Sequence, residues 1–157
     1  ATPKMALGLG MKVIAADMFI PQVDVKVEFF DGQSITTTIV SQSLESLFEE
    51  ADFITLHVPA QDGYIISTNE LATMKDGVGI VNCARGGVID EIALIEALDS
   101  GKVAFAGLDV FESEPKPELK ILMHPKISLT PHIGAATDEA QDRIGTELAQ
   151  QIISILG

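Results

Sequence analysis

Residues 78–90 read Val-Gly-Ile-Val-Asn-Cys-Ala-Arg-Gly-Gly-Val-Ile-Asp, and few folds accommodate such a run. Its first part is short and apolar, as a strand buried on both faces should be. It breaks at Ala84-Arg85-Gly86-Gly87 and resumes at Asp90, a good N-cap for a following helix. In open α/β sheets, ligands sit beyond the carboxyl ends of the strands. Arg85 stands at such an end, with two glycines that let the backbone turn sharply. A guanidinium there suits a planar carboxylate, which it grips with two parallel hydrogen bonds. A surface arginine on a Gly-rich turn fits the same residues.

The rest of the chain repeats the alternation. Residues 1–10 read as the end of a helix, stopped by Gly8 and Gly10, and 12–16 as a short buried strand ending at Asp17. The Gly-Leu-Gly at 8–10 is no dinucleotide fingerprint, because it closes a helix and precedes a strand. Residues 23–40 alternate apolar and polar about Asp31-Gly32, a hairpin signal. Residues 43–50 form an amphipathic helix with Leu44, Leu47 and Phe48 inward. Strands follow at 53–58, 78–82, 103–108 and 127–129, and helices at 68–74 and 90–100. A long helix capped by Thr137 has an apolar face of Ala140, Ile144, Leu148, Ile152 and Ile155. Strands alternating with helices predict a doubly wound parallel sheet, Rossmann-like, lacking its first strand and Gly-rich loop. Right-handed crossovers would put the loops carrying Asp17, Val58, Cys83, Asp109 and His132 on one edge.

Charge and cysteine content narrow the partners. A net charge of −13 opposes nucleic acid or an anionic membrane, since phosphate binding needs a basic footprint. One cysteine excludes an internal disulfide framework and suits a reducing compartment, hence a cytoplasmic location. No His, Cys or carboxylate spacing suggests a metal site. Cys83 reads as a small buried filler, and His124 as a surface residue.

Arg85, Glu114 and His132 each lie beyond a different predicted strand and can converge in one crevice. Together they suit the reduction of a carbonyl. Arg85 would hold a substrate carboxylate and polarise the adjacent carbonyl. His132 would exchange a proton with the oxygen. Glu114 would fix the ring's tautomer and favour imidazolium, since a nearby carboxylate raises a histidine from its reference of ~6.5. The hydride has to come from a cofactor. Asp17, at the end of the second strand of a dinucleotide fold, could accept from ribose hydroxyls and favour NAD over NADP. An ordinary solvated strand-end aspartate is the plainer reading. His57 could line a cofactor pocket through its backbone or be structural.

Three ordered motifs carry a resemblance: Asn-Cys-Ala-Arg-Gly-Gly-Val-Ile-Asp at 82–90, Gly-Leu-Asp-Val-Phe-Glu-Ser-Glu-Pro at 107–115 and Thr-Pro-His-Ile-Gly-Ala at 130–135. They resemble the D-2-hydroxyacid dehydrogenases, over nearly the whole chain except the 23–40 hairpin. The Cys83 variant of the first motif and the tail after His132 are most similar to the branch acting on D-3-phosphoglycerate, in serine biosynthesis. The resemblance implies catalysis by Arg85, Glu114 and His132. It implies NAD contacts at Asp17, at His57, Val58 and Pro59, at Cys83, Ala84 and Arg85, at Asp109, and at His132, Gly134 and Ala135. It implies a homodimer and a 2-hydroxy or 2-keto acid substrate. A hydroxypyruvate or glyoxylate reductase, or a non-catalytic NAD-sensing corepressor-like module, stays open, because such modules keep the same triad. Residues 1–157 would then be a partial NAD-binding domain without the substrate domain, inactive alone. Without the family's first strand, strands 12–16 and 78–82 would lose the partner between them, and their backbone groups would need direct pairing, a rearrangement or a strand lent by another molecule.

Overall fold

The computed structural model describes residues 2–60 and 62–156; Ala1, the start of the expected helix end, lies outside them. The chain divides into two compact units, residues 1–52 with 73–75, and 53–72 with 76–157.

The first unit opens with α1 (Thr2–Gly8), which packs on a hairpin of β1 (Gln22–Glu28) and β2 (Ser34–Val40). Alternation sets the hairpin register. Val23 pairs with Ile39, Val25 with Thr37 and Val27 with Ile35, so the apolar side chains share one face. On the other face the Thr38 hydroxyl donates to Asp24 Oδ1 at 2.7 Å. The expected turn is at Asp31-Gly32, where Asp31 Oδ1 accepts from the Gln33 N–H and Gly32 has φ 83°. Helix α2 (Leu44–Glu50) is capped by Ser43, whose hydroxyl accepts from the Ser46 N–H at 3.2 Å. Its inner face is narrower than expected: Phe48 is buried, Leu47 half-buried and Leu44 exposed.

Residues 12–16 do not form the expected strand. They make one isolated parallel bridge, Ala15 to Ser41, in which the Gln42 N–H donates to the Ala15 carbonyl at 2.8 Å. Val13 and Ile14 are only half-buried. An apolar run becomes a strand only when a neighbour satisfies its backbone groups, and a single bridge does not build a ladder.

The second unit is a parallel sheet of β3 (Phe53–Leu56), β4 (Val78–Asn82), β5 (Val103–Leu108) and β6 (Ile127–Leu129), side by side in that order. Helices α3 (Thr68–Thr73), α4 (Glu91–Ser100) and α5 (Leu119–Leu122) connect them, as parallel pairing requires. Asp90 caps α4 as expected, its Oδ1 accepting from the N–H groups of Ile92 and Ala93, both at 3.0 Å. Ile80, Leu94, Leu98, Val103 and Ile121 are fully buried and form the core between sheet and helices. Strand β4 is not short of a neighbour. It is flanked by β3 and β5, and among the described residues the open edge falls on β3, where Phe53 and Thr55 are exposed. The reason is pairing order: β3 docks in register on β4, Phe53 opposite Gly79, and occupies the side assigned to an absent strand.

The last helix, α6 (Asp138–Leu156), starts where expected, with the Thr137 hydroxyl accepting from the Ala140 N–H at 3.2 Å. Its apolar stripe is not covered. Only Ala140 is buried, while Ile144, Leu148, Ile152 and Ile155 are exposed. No described helix is long and apolar enough to cross a membrane.

Candidate active site

Because the four strands are parallel, the loops after β3, β4, β5 and β6 leave one edge of the sheet. The loop after β4 is built by the buried side chain of Asn82. Its Nδ2 donates to the Arg85 carbonyl at 2.9 Å and its Oδ1 accepts from the Ala84 N–H at 3.0 Å. Arg85 is thereby held at the surface, with Nη1 donating to the Ala84 carbonyl at 2.7 Å.

This loop is clipped to the one after β5. A Cβ on Gly86 would lie 1.8 Å from the Phe111 carbonyl oxygen, so only glycine lets the two backbones touch. The Glu91 N–H donates to Glu112 Oε1, and the Glu112 N–H to Glu91 Oε1, both at 2.9 Å. Burial pushes the Glu91 carboxyl up; the bond from the Glu112 backbone opposes this and the Glu112 charge adds to it. The Phe111 N–H in turn donates to Glu114 Oε1 at 3.0 Å.

Glu114 Oε2 lies 2.7 Å from His132 Nδ1. The hydrogen bond to His132, then that from the Phe111 N–H, hold the Glu114 carboxyl below its ordinary value. An ionised carboxylate only accepts, so the proton of this bond sits on Nδ1, and Nε2 is the nitrogen left to exchange protons. A cleft of about 490 Å³ opens beside the pair, lined by Glu114 and His132 together with Phe111, Pro115, Leu129 and Pro131. A hydrogen-bonded carboxylate and imidazole at an apolar wall are an arrangement suited to binding a small polar molecule and moving a proton.

The expected site residues fall out unequally. Glu114 and His132 meet. Arg85 lies on the same sheet edge, on the loop clipped to that of Glu114, with no recorded bond to either. His57, Val58 and Pro59 follow β3, where His57 is exposed and its Nε2 lies 3.1 Å from the Thr55 hydroxyl. Cys83 is exposed, not a filler, because it starts the turn instead of ending the strand; desolvation first, then the Asp109 charge, pushes its thiol up. Asp109 is buried and bonded to the loop carrying His132, whose Gly134 N–H donates to it. The Ala135 carbonyl accepts from Gln141 Nε2 at 2.8 Å. His124 is not the surface residue expected: its side chain is largely buried, with Nδ1 accepting from the Lys126 N–H and Nε2 3.3 Å from Asp99 Oδ1. Asp17 belongs to the other unit. There its Oδ1 accepts from the N–H groups of Phe19 and Ile20 at 2.8 and 2.9 Å. Asn82, Thr130 and the Glu91–Glu112 exchange escape a sequence reading, although an asparagine ending a strand is a recognisable turn-builder.

A family model described as D-isomer specific 2-hydroxyacid dehydrogenase, NAD binding domain, matches residues 1–134. The chain belongs to this family. The hydroxypyruvate reductase of Thermotoga maritima is 49% identical over 98% of this chain and 48% of its own length. The D-3-phosphoglycerate dehydrogenase of Methanocaldococcus jannaschii is 43% identical over 98% of this chain and 28% of its own. Among solved structures, a glyoxylate reductase from Paecilomyes thermophila superposes with a TM-score of 0.74 at 39% identity, over 92% of this chain and 42% of that one. A D-lactate dehydrogenase from Aquifex aeolicus, complexed with NAD and lactic acid, gives 0.70 at 32%, over 97% and 48%. The chain thus spans half or less of the length of these relatives.

The residues of this NAD-binding-domain chain fit a nicotinamide dinucleotide in part. Asp17, in the first unit, spends Oδ1 on its own turn. The turn between β4 and α4 carries Gly86 and Gly87, whereas Gly8 and Gly10 end α1 and open no helix toward a pyrophosphate.

Proposed function

We propose that the whole polypeptide is an NAD-dependent dehydrogenase of a D-2-hydroxy acid, with Arg85, Glu114 and His132 as its catalytic residues. The observation that carries this reading is the 2.7 Å bond between Glu114 and His132, on the sheet edge that also bears Arg85. The nicotinamide, when bound, accepts or supplies the hydride. The chain's own residues do the rest. The Arg85 guanidinium would hold the substrate carboxylate and polarise the neighbouring carbonyl. His132, oriented through Nδ1 by Glu114, would give or take the hydroxyl proton through Nε2. Asp17, His57, Val58, Pro59, Cys83, Ala84, Asp109, Gly134 and Ala135 are proposed cofactor contacts. The Asp17 charge would disfavour a 2′-phosphate.

For the substrate, the wording of the motif at 82–90 supports D-3-phosphoglycerate, in serine biosynthesis, and several relatives carry that name. A second reading, hydroxypyruvate reduction, is favoured by the 49% identity to the Thermotoga protein. A homodimer in a reducing cytoplasm completes the proposal. The test is NADH oxidation by the whole polypeptide with 3-phosphohydroxypyruvate, hydroxypyruvate and glyoxylate in parallel. Turnover with the first over the others supports the phosphoglycerate reading, and the reverse preference supports the second. His132→Gln should lower kcat by about 100-fold or more, the scale of losing a general acid–base. No turnover with any 2-keto acid, or full activity of His132→Gln, overturns the proposal.

A further inference from the structure

His132 is, among the described residues, the one non-glycine with positive φ, at 57°. A side chain in that left-handed region is strained, so contacts elsewhere must hold it there. Those contacts converge on Asp109. This residue follows β5, and its N–H donates to the Asn82 carbonyl at 2.9 Å, which ties its backbone to β4. The residue is 3% exposed. Oδ1 accepts from the Thr130 hydroxyl at 2.5 Å and from the Ile133 N–H at 2.9 Å. Oδ2 accepts from the Gly134 N–H at 2.8 Å. The approach is tight, because a Cβ on Gly134 would lie 2.9 Å from Oδ2. The bonded residues bracket His132 on both sides along the chain.

We infer that Asp109 is a positioning residue for the proton exchange: its carboxylate grips the chain before and after His132, fixing the left-handed turn that delivers Nδ1 to Glu114. The inference rests on the reading of His132 as the proton-exchanging group. Without the grip, the backbone of His132 would relax to negative φ and carry the ring away from Glu114. The electrostatics agree with the geometry. Burial raises the Asp109 carboxyl, but the bonds from Thr130, Ile133 and Gly134, with the His132 charge, more than offset this and hold it below its ordinary value. It is therefore an anion at neutral pH, able to accept all these bonds at once.

The expectation is a loss of rate with little loss of substrate binding. In the whole polypeptide, Asp109→Ala should lower kcat about 100-fold, as a misplaced reacting group does, with the KM of the 2-keto acid changed less than about threefold. Asp109→Asn keeps one acceptor oxygen and should fall between wild type and Asp109→Ala. Two readouts do not depend on activity. The Nδ1 proton resonance of the Glu114–His132 bond should disappear in Asp109→Ala. The Ile133 and Gly134 amides should exchange faster, while those of β4 and β5 keep their protection. Persistence of the Nδ1 resonance and of slow exchange in Asp109→Ala overturns the inference, even where activity is lost. So does a raised KM for NADH with unchanged kcat, which would make Asp109 a cofactor contact only. Thr130→Val removes a single donor and covers the case in which Asp109→Ala does not fold; it should weaken the same resonance, and an unchanged one overturns the inference. Failure of every variant and the wild type to turn over would instead sink the dehydrogenase reading, and the two magnetic-resonance readouts would still decide the role of Asp109.

Discussion

Two stretches of this chain carry the same signal and end differently. Residues 12–16 and β5 are both short apolar runs closed by an aspartate, Asp17 in one and Asp109 in the other. Strand β5 lies between β4 and β6, and Asp109 is buried beneath donors from residues more than twenty positions away. Residues 12–16 make one bridge, and Asp17 is exposed, accepting from the residues two and three positions on. The apolar run is therefore only permission to form a strand. What makes it one is a continuous ladder with a neighbouring strand, and what makes a strand-end aspartate an organiser is a neighbouring loop brought within reach.

The comparison is broken most easily in the sheets themselves. Ile80 in β4 is fully buried, and Ile80→Ala should cost about 2–5 kcal/mol, the usual price of a core cavity. Val13→Ala, in the half-buried counterpart, should cost about 1 kcal/mol or less. Urea unfolding of both variants gives the difference directly; equal losses would mean that residues 12–16 are as much a part of the core as β4.

Acid sharpens the contrast at the loops. The Asp109 carboxyl is held below its ordinary value, so its ionised form is favoured in the folded state. That contribution is complete above its unfolded value of ~3.9 and is lost as pH falls through the lower folded one. Stability measured by urea midpoint should therefore drop more steeply with acid in the wild type than in Asp109→Asn. Parallel acid limbs would show that the carboxylate contributes no such linkage.

The smallest effect belongs to Asp17. Asp17→Ala removes a local acceptor for two exposed N–H groups and should cost about 1 kcal/mol or less, and Asp17→Asn, which keeps that oxygen, should be near neutral. A loss in Asp17→Ala as large as that of Ile80→Ala would mean that this turn supports much more than itself.

What was legible in the sequence follows the same division. The hairpin, the strands from β3 to β6, the Asp90 and Thr137 caps and the meeting of Glu114 with His132 were all readable, because alternation, caps and motif order are local or ordered signals. The fate of 12–16 was not, since pairing partners are not written in the run itself. Nor was the bareness of the α6 stripe, because amphipathicity records that a face wants cover without saying what covers it. The burial of Asp109 and of Asn82, and the exposure of Cys83, depend on how turns close in space.

The paired glutamates at 91 and 112 have a mechanical consequence. By trading backbone bonds across the gap, and with Gly86 seated against Phe111, they weld the turns bearing the guanidinium and the acid into one block. Strain, heat or a disruptive change arriving at either turn is felt at the other, so the spacing between those two charged groups should vanish in a single step, never by gradual drift.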